Sequence, residues 1–477
     1  MQNLNFDSFC ALIGGLWLLD LLAYSPIFSV FFGKIEARGY RGLNRRWVLG
    51  LQLAWGASAL ALIWGGQFTR LLATVFFYAL FRHFYIDSRW SSVRRGGGAP
   101  GFMSHWAAFY LLILQLSALL DSGGGLSEKV CWMMQVDFAV IMICAGTYKY
   151  MVGYMHHDGM EYGRVNPLWG YLWEFHRNQN PTGLYVRFTN FMAFAVEIAA
   201  GILMLIPGYQ WLGAIAISLS FFYVALEIRL GRLAILMSVL PMIYATGFHA
   251  SLMAQSPVHL PTPTWLLGYL SWLPVAFVAL LPLVKCQQYL NLFSNRTLPQ
   301  PLQGWLSTYA NQVPIIMWRV FTPDVTNFYV RIYEEEPATG RSFPICDERT
   351  LNWRSWGNLW LKLRFWHVTE AIALVSVFTT LKYFPSNRKL FDQKLLTYSR
   401  SLEYALGRPV EHLRYEYVVI RKGKERFLFD HVGNFFVDLG RAQVREEKLE
   451  DFDFAAPSRY SPVRESVAPG SFTPVAR

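Results

Sequence analysis

Apolar runs separated by short polar connections repeat down the first 285 residues of the chain. A hydrocarbon core about 30 Å thick takes roughly 20 apolar residues of helix to cross. Segments near 8–32, 47–64, 67–86, 104–121, 130–153, 187–206, 209–227, 232–254 and 264–284 have that character, so the pattern predicts about nine spans. The second and third are joined only by GGQF, and 155–186 is the one long polar connection. Trp169 and Trp173 fall on one helical face of that connection, which places part of it along a membrane interface.

Beyond 285 the period changes. TNFYVRIYEEEPATGRSF reads as strand, turn and return strand, and HLRYEYVVIRKGKERFLFDHVGNFFVDL alternates apolar and polar positions like a further meander. VTEAIALVSVFTTLKYF and KLLTYSRSLEYAL between them have helical spacing; Glu370 and its short length make the first a buried or interfacial helix instead of a span. The predicted fold is an all-α polytopic membrane bundle (1–285), then a mixed α/β extramembrane domain (286–451). A Pro- and Ser-rich tail (452–477) is expected to be poorly ordered.

Composition agrees with this pattern. The chain has 477 residues, 53% of them hydrophobic and 16% charged, whereas soluble domains carry about a quarter charged residues. Aromatic residues make up 17% of the chain, with 18 tryptophans, and many stand near the ends of apolar runs, where amphipathic rings settle at a bilayer surface. The net charge of +11 sits in short loops, which points to membrane orientation and lipid contact, with no nucleic acid as partner. Loops 33–46 and 87–102 are basic, while 65–66, 207–210 and 255–263 hold no Lys or Arg. The positive-inside rule therefore puts the N-terminus outside and everything after 285 in the cytoplasm. The first apolar run lacks a basic leader and a small-residue cleavage site, so it reads as a span. Five cysteines, at 10, 131, 144, 286 and 346, show no metal-ligand spacing.

Ionisable groups inside spans are costly and are functional candidates by default. Here they are Asp20, His105, Asp137, Lys149, Glu197 and Glu227, the last reading as an interfacial partner of Arg229. AGTYKYMVGYMHHDGMEYG, residues 145–163, ends an apolar helix with Lys149, His156, His157, Asp158 and Glu161. The adjacent histidines point to different faces, so no metal site is expected. As a base, Lys149 needs an apolar pocket and no firm carboxylate partner. As a structural group it pairs with Glu161, Asp158 or Asp137.

The same stretch is similar to the lysine segment of the vitamin K-dependent gamma-carboxylases and their bacterial relatives, the HTTM family. The matching positions are Ala145, Gly146, Lys149, Tyr154, Met160, Glu161 and Tyr162. HWAAFYLLILQLS resembles the family's histidine helix through His105, Leu111, Leu112, Gln115 and Leu116. FYVRIYEEEPATGR and KLLTYSRSL resemble parts of its β domain. The resemblance implies Lys149 as the base that deprotonates a reduced, vitamin K-like quinone and His105 as a second catalytic group. It also implies cofactor contacts at Tyr154, Glu161 and Tyr223, and a bacterial inner-membrane location. Tyr223 stands where the family carries a histidine, and WRVFTPDVTNF replaces a histidine-rich entry to the β domain. With those histidines gone, the expectation is a catalytically degenerate accessory or scaffold subunit that associates with other membrane-protein subunits. The alternative is an active quinone-dependent carboxylase or oxidase.

Overall fold

The computed structural model describes residues 5–25, 28–32, 34–36, 39–41, 44–87, 99–156, 159–230, 233–293, 298–315, 326–336, 338–351 and 368–454. His157, Asp158 and the tail from 455 onward, named above, lie outside them.

Among the described residues, seven helices are long and apolar enough to cross a membrane. They are Phe6–Tyr24, Arg45–Trp64, Gly101–Leu120, Gly125–Met151, Leu184–Leu205, Gln210–Glu227 and Thr264–Asn291. They fit a multi-pass membrane protein. Two of the nine expected segments differ from straight spans. Gln67–Phe81 has only 15 α-helical residues and continues as a π-helical stretch, Arg82–Asp87. The 232–254 segment breaks into Leu233–Tyr244 and Phe248–Ala254, bent by 84°. The break follows from Pro241, which has no amide hydrogen to donate, and from Gly247 at φ +84°, a left-handed conformation that glycine adopts freely. The last apolar helix also runs to Phe293, past the expected boundary at 285.

Small residues set how closely the helices pack. On the Gly125–Met151 helix, a Cβ at Gly146 would lie 2.7 Å from the Phe194 carbonyl oxygen and 2.6 Å from the Ile198 side chain. At Gly201, on the Leu184–Leu205 helix, it would lie 2.9 Å from the Ala139 carbonyl oxygen. Glycine on both sides of one crossing brings the two backbones together, as in small-residue membrane packing. Trp64, Trp211 and Trp265 stand exposed at or next to the helix ends that flank the connections 65–66, 207–209 and 255–263. That is the placement of an interfacial aromatic belt.

Strands β1 (Lys34–Glu36) and β2 (Gly39–Arg41) form a short hairpin. The C-terminal domain is built on a five-stranded antiparallel sheet of β3 (Phe328–Glu336), β4 (Arg341–Cys346), β5 (His412–Lys422), β6 (Phe427–Asp438) and β7 (Gln443–Lys448), in the order β4-β3-β5-β6-β7. The helices Val368–Phe378 and Arg388–Leu406 cover one face, where Phe378 packs on Tyr417, Phe435 and Phe391. Glu370 is fully buried there and accepts a 3.0 Å hydrogen bond from Tyr398, so the first of these helices is a core helix. Tyr417–Ile420 of β5 are buried without alternation, because the bundle's long connection reaches the other face. Val165 and Leu168 of that connection belong to the sheet's own apolar core.

Candidate functional site

Lys149 ends the Gly125–Met151 helix one turn beyond Gly146, and Glu197 lies one turn before Gly201 on its neighbour. The glycine crossing therefore places an ammonium against a carboxylate. Lys149 Nζ donates to Glu197 Oε1 at 2.5 Å and to the Ala193 carbonyl at 3.4 Å, with both side chains buried. Among the described residues the partner is thus Glu197, not Glu161 or Asp137. Tyr154, also fully buried, turns its ring toward the lysine, 6.0 Å from Nζ to the centroid.

Glu161 belongs to the next polar layer, where the bundle meets the sheet. Its Oε2 accepts from the Gly159 amide and from Asn190 Nδ2, each at 3.0 Å. Its Oε1 lies 2.7 Å from Nζ of Lys422, at the end of β5. Asn166 Nδ2 donates to the Phe328 carbonyl at 2.7 Å, and Trp173 stacks on Phe429. The tryptophan expected at a lipid interface faces the sheet instead, and Leu172 and Phe175 are exposed in its place.

Beside Glu161, Arg164 Nη1 donates to Thr189 at 3.0 Å, and Nη2 donates to Tyr185 and to His176 Nδ1. His176 Nε2 then donates to Glu227 Oε2 at 2.6 Å. A neutral imidazole with its proton on Nε2 satisfies both contacts. Glu227 therefore pairs with His176 and Arg164, not with Arg229. The Arg229 guanidinium donates instead to the carbonyls of Pro167 and Gly170, and burial pulls its pKa down to about 10. Tyr223 joins this layer through its hydroxyl, 3.4 Å from that of Tyr185. A small pocket of about 10 Å³ opens among Glu161, Arg164, His176, Tyr185, Thr189 and, from β6, Phe427. It has room for about one water molecule.

No family model, curated protein sequence or solved structure matches this chain.

Lys149, Tyr154, Glu161 and Tyr223 therefore gather at the sheet-facing end of the bundle, in two adjoining layers. His105 is not with them. It is fully buried, its ring stacks on Tyr78 at 5.4 Å, and neither ring nitrogen has a hydrogen-bond partner among the described residues. The helices of His105 and Lys149 run antiparallel from the turn at 121–124. Lys149 stands about 14 Å further along its helix from that turn than His105, at 1.5 Å of rise per residue. Asp137 lies nearer the level of His105, and its Oδ2 accepts from Trp106 at 2.8 Å and Tyr110 at 3.0 Å. Among the described residues, no group of three or more His, Cys, Asp or Glu is placed to hold a metal ion. Sequence reasoning missed Arg164, His176 and Lys422. No pattern announces them, because each meets its partner across more than ten positions of chain.

Proposed function

We propose that this chain is a non-catalytic accessory or scaffold subunit of a membrane complex, built on the carboxylase-like HTTM plan. In this reading it lies in a bacterial inner membrane with the sheet domain on the cytoplasmic side. The observation that carries the reading is the 2.5 Å contact of Lys149 with Glu197. An ammonium closed against a buried carboxylate has no lone pair to take a proton from a substrate, so the one base that the resemblance supplies is engaged in packing. The seating of the sheet on the bundle, through Glu161, Asn166 and Trp173, suits a part that holds other subunits in register.

The test pairs composition with substitution. Full-length chain purified from native membranes, cross-linked and examined by mass spectrometry, is expected to carry other membrane proteins in fixed ratio. The double variant Lys149→Met/Glu197→Leu, which removes both charges together, is expected to keep that assembly and its cellular role. A double variant that assembles normally yet abolishes the cellular role overturns the proposal in favour of Lys149 as a base.

A further inference from the structure

The last long apolar helix is followed by a second, shorter one, Gln300–Gln312, whose three faces have three different characters. Leu306 and Ala310 are buried, and the helix is tied to the preceding span by Gln287 Nε2, which donates to the Gln303 carbonyl at 3.4 Å. Leu302, Trp305 and Tyr309 share a second stripe at i, i+3 and i+7 spacing. Leu302 and Trp305 are exposed, at 39% and 52%, and Trp305 stacks on the partly buried Tyr309 at 5.6 Å with nearly parallel rings. Gly304, Ser307, Thr308 and Asn311 make up the third, exposed and polar face. No residue from 298 to 315 carries a charge.

We propose that Gln300–Gln312 lies in the plane of the membrane surface, with Leu302 and Trp305 among the upper acyl chains, Tyr309 between them and the bundle core, and the Ser307–Asn311 face in water. A protein face, an apolar exposed face and a polar face in angular succession are what a helix needs where bundle, lipid and water meet. The span that precedes it also exposes apolar surface, at Leu283. Trp and Tyr are the side chains that settle at headgroup level. The absence of charge makes the partner the apolar lipid boundary itself, whatever the headgroup. The proposal stands on the apolar bundle alone and does not depend on the accessory-subunit reading.

Spin labels at Leu302→Cys, Trp305→Cys and Ser307→Cys, in full-length chain carrying Cys144→Ala and Cys286→Ala, provide the test. The protein is reconstituted in phosphatidylcholine vesicles with and without phosphatidylglycerol. Labels at 302 and 305 are expected to collide more with oxygen than with a water-soluble nickel complex, and the label at 307 to show the reverse. Anionic lipid is expected to leave both results unchanged. A label at 302 and 305 open to nickel places the stripe in water and overturns the proposal. A label shielded from both reagents shows a protein covering it and overturns it equally. Using two positions on the stripe keeps the result readable if one variant fails to fold.

Discussion

Lys422 Nζ, at the far end of β5, lies 2.7 Å from Glu161 Oε1 in the connection between two spans, a contact across 261 positions of chain. Glu161 is buried and Lys422 is partly exposed, so the lysine closes over a carboxylate that is already desolvated. Removing Lys422 leaves that charge with the Gly159 amide and Asn190 as its remaining partners among the described residues. Lys422→Met is expected to cost about 1–3 kcal/mol. Amide hydrogen exchange should rise in 159–177 and in β5 and β6 together. A rise confined to β5 alone would show that the contact does not join the two parts.

The Lys149–Glu197 pair predicts a non-additive result. Lys149→Met alone leaves an uncompensated buried carboxylate and is expected to destabilise by about 3–5 kcal/mol. Adding Glu197→Leu should restore most of that loss, because an apolar pair of similar volume needs no solvation. Unfolding of the detergent-solubilised chain measures both. Additive losses would mean that the two groups act independently.

Gly146 and Gly50 make a matched pair of tests. A side chain at Gly146 meets the Phe194 backbone, whereas nothing lies within 4 Å of one at Gly50. Gly146→Val is expected to cost about 1–3 kcal/mol through overpacking. Gly50→Ala should be neutral or slightly stabilising, since alanine is the better helix former. Equal melting temperatures for the two variants would remove the crossing as the cause of the ion pair.

Acid should loosen the sheet domain through Glu348. Burial opposes its charge, but hydrogen bonds from Arg331 and Tyr329 outweigh that and hold its pKa below the usual glutamate value. Arg331 Nη2 approaches to 2.5 Å and Nε to 2.8 Å, while Nη1 reaches Glu416 at 2.9 Å. A lowered carboxylate pKa stabilises the fold at pH above the unfolded value, about 4.3, and that contribution disappears as pH falls through the folded value. The melting-temperature gap between the native chain and Glu348→Gln is therefore expected to be full at pH 7 and to close below about pH 4. A gap independent of pH would assign the effect to packing.

The apolar spans, the hairpin at 328–346 and the helix at 388–406 were legible because each is a local pattern with its own period. The broken segment at 233–254 was not, since averaged hydropathy is blind to a single glycine at positive φ. For the candidate site, the sequence singled out both Lys149 and Glu197 as costly intramembrane charges but did not pair them. The signal that joins them is the spacing of Gly146 and Lys149 against Glu197 and Gly201, which has meaning only once the two helices are known to cross. Trp173 was legible as an amphipathic anchor, but not what it is anchored to. Lipid and the aromatic side chain of Phe429 offer a tryptophan the same kind of surface.

Val165, Leu168, Asn166 and Trp173 leave the ribosome some 150 residues before the strands that cover them. During synthesis, the seat for the sheet is thus finished and waiting while its occupant has yet to be made. Until β3 arrives, the Asn166 amide lacks the Phe328 carbonyl it bonds in the finished molecule, and the apolar side chains beside it face water or lipid headgroups. A chain stopped after the last span is therefore an unfinished surface, one that cellular quality control would recognise by the same residues that later hold the two halves together.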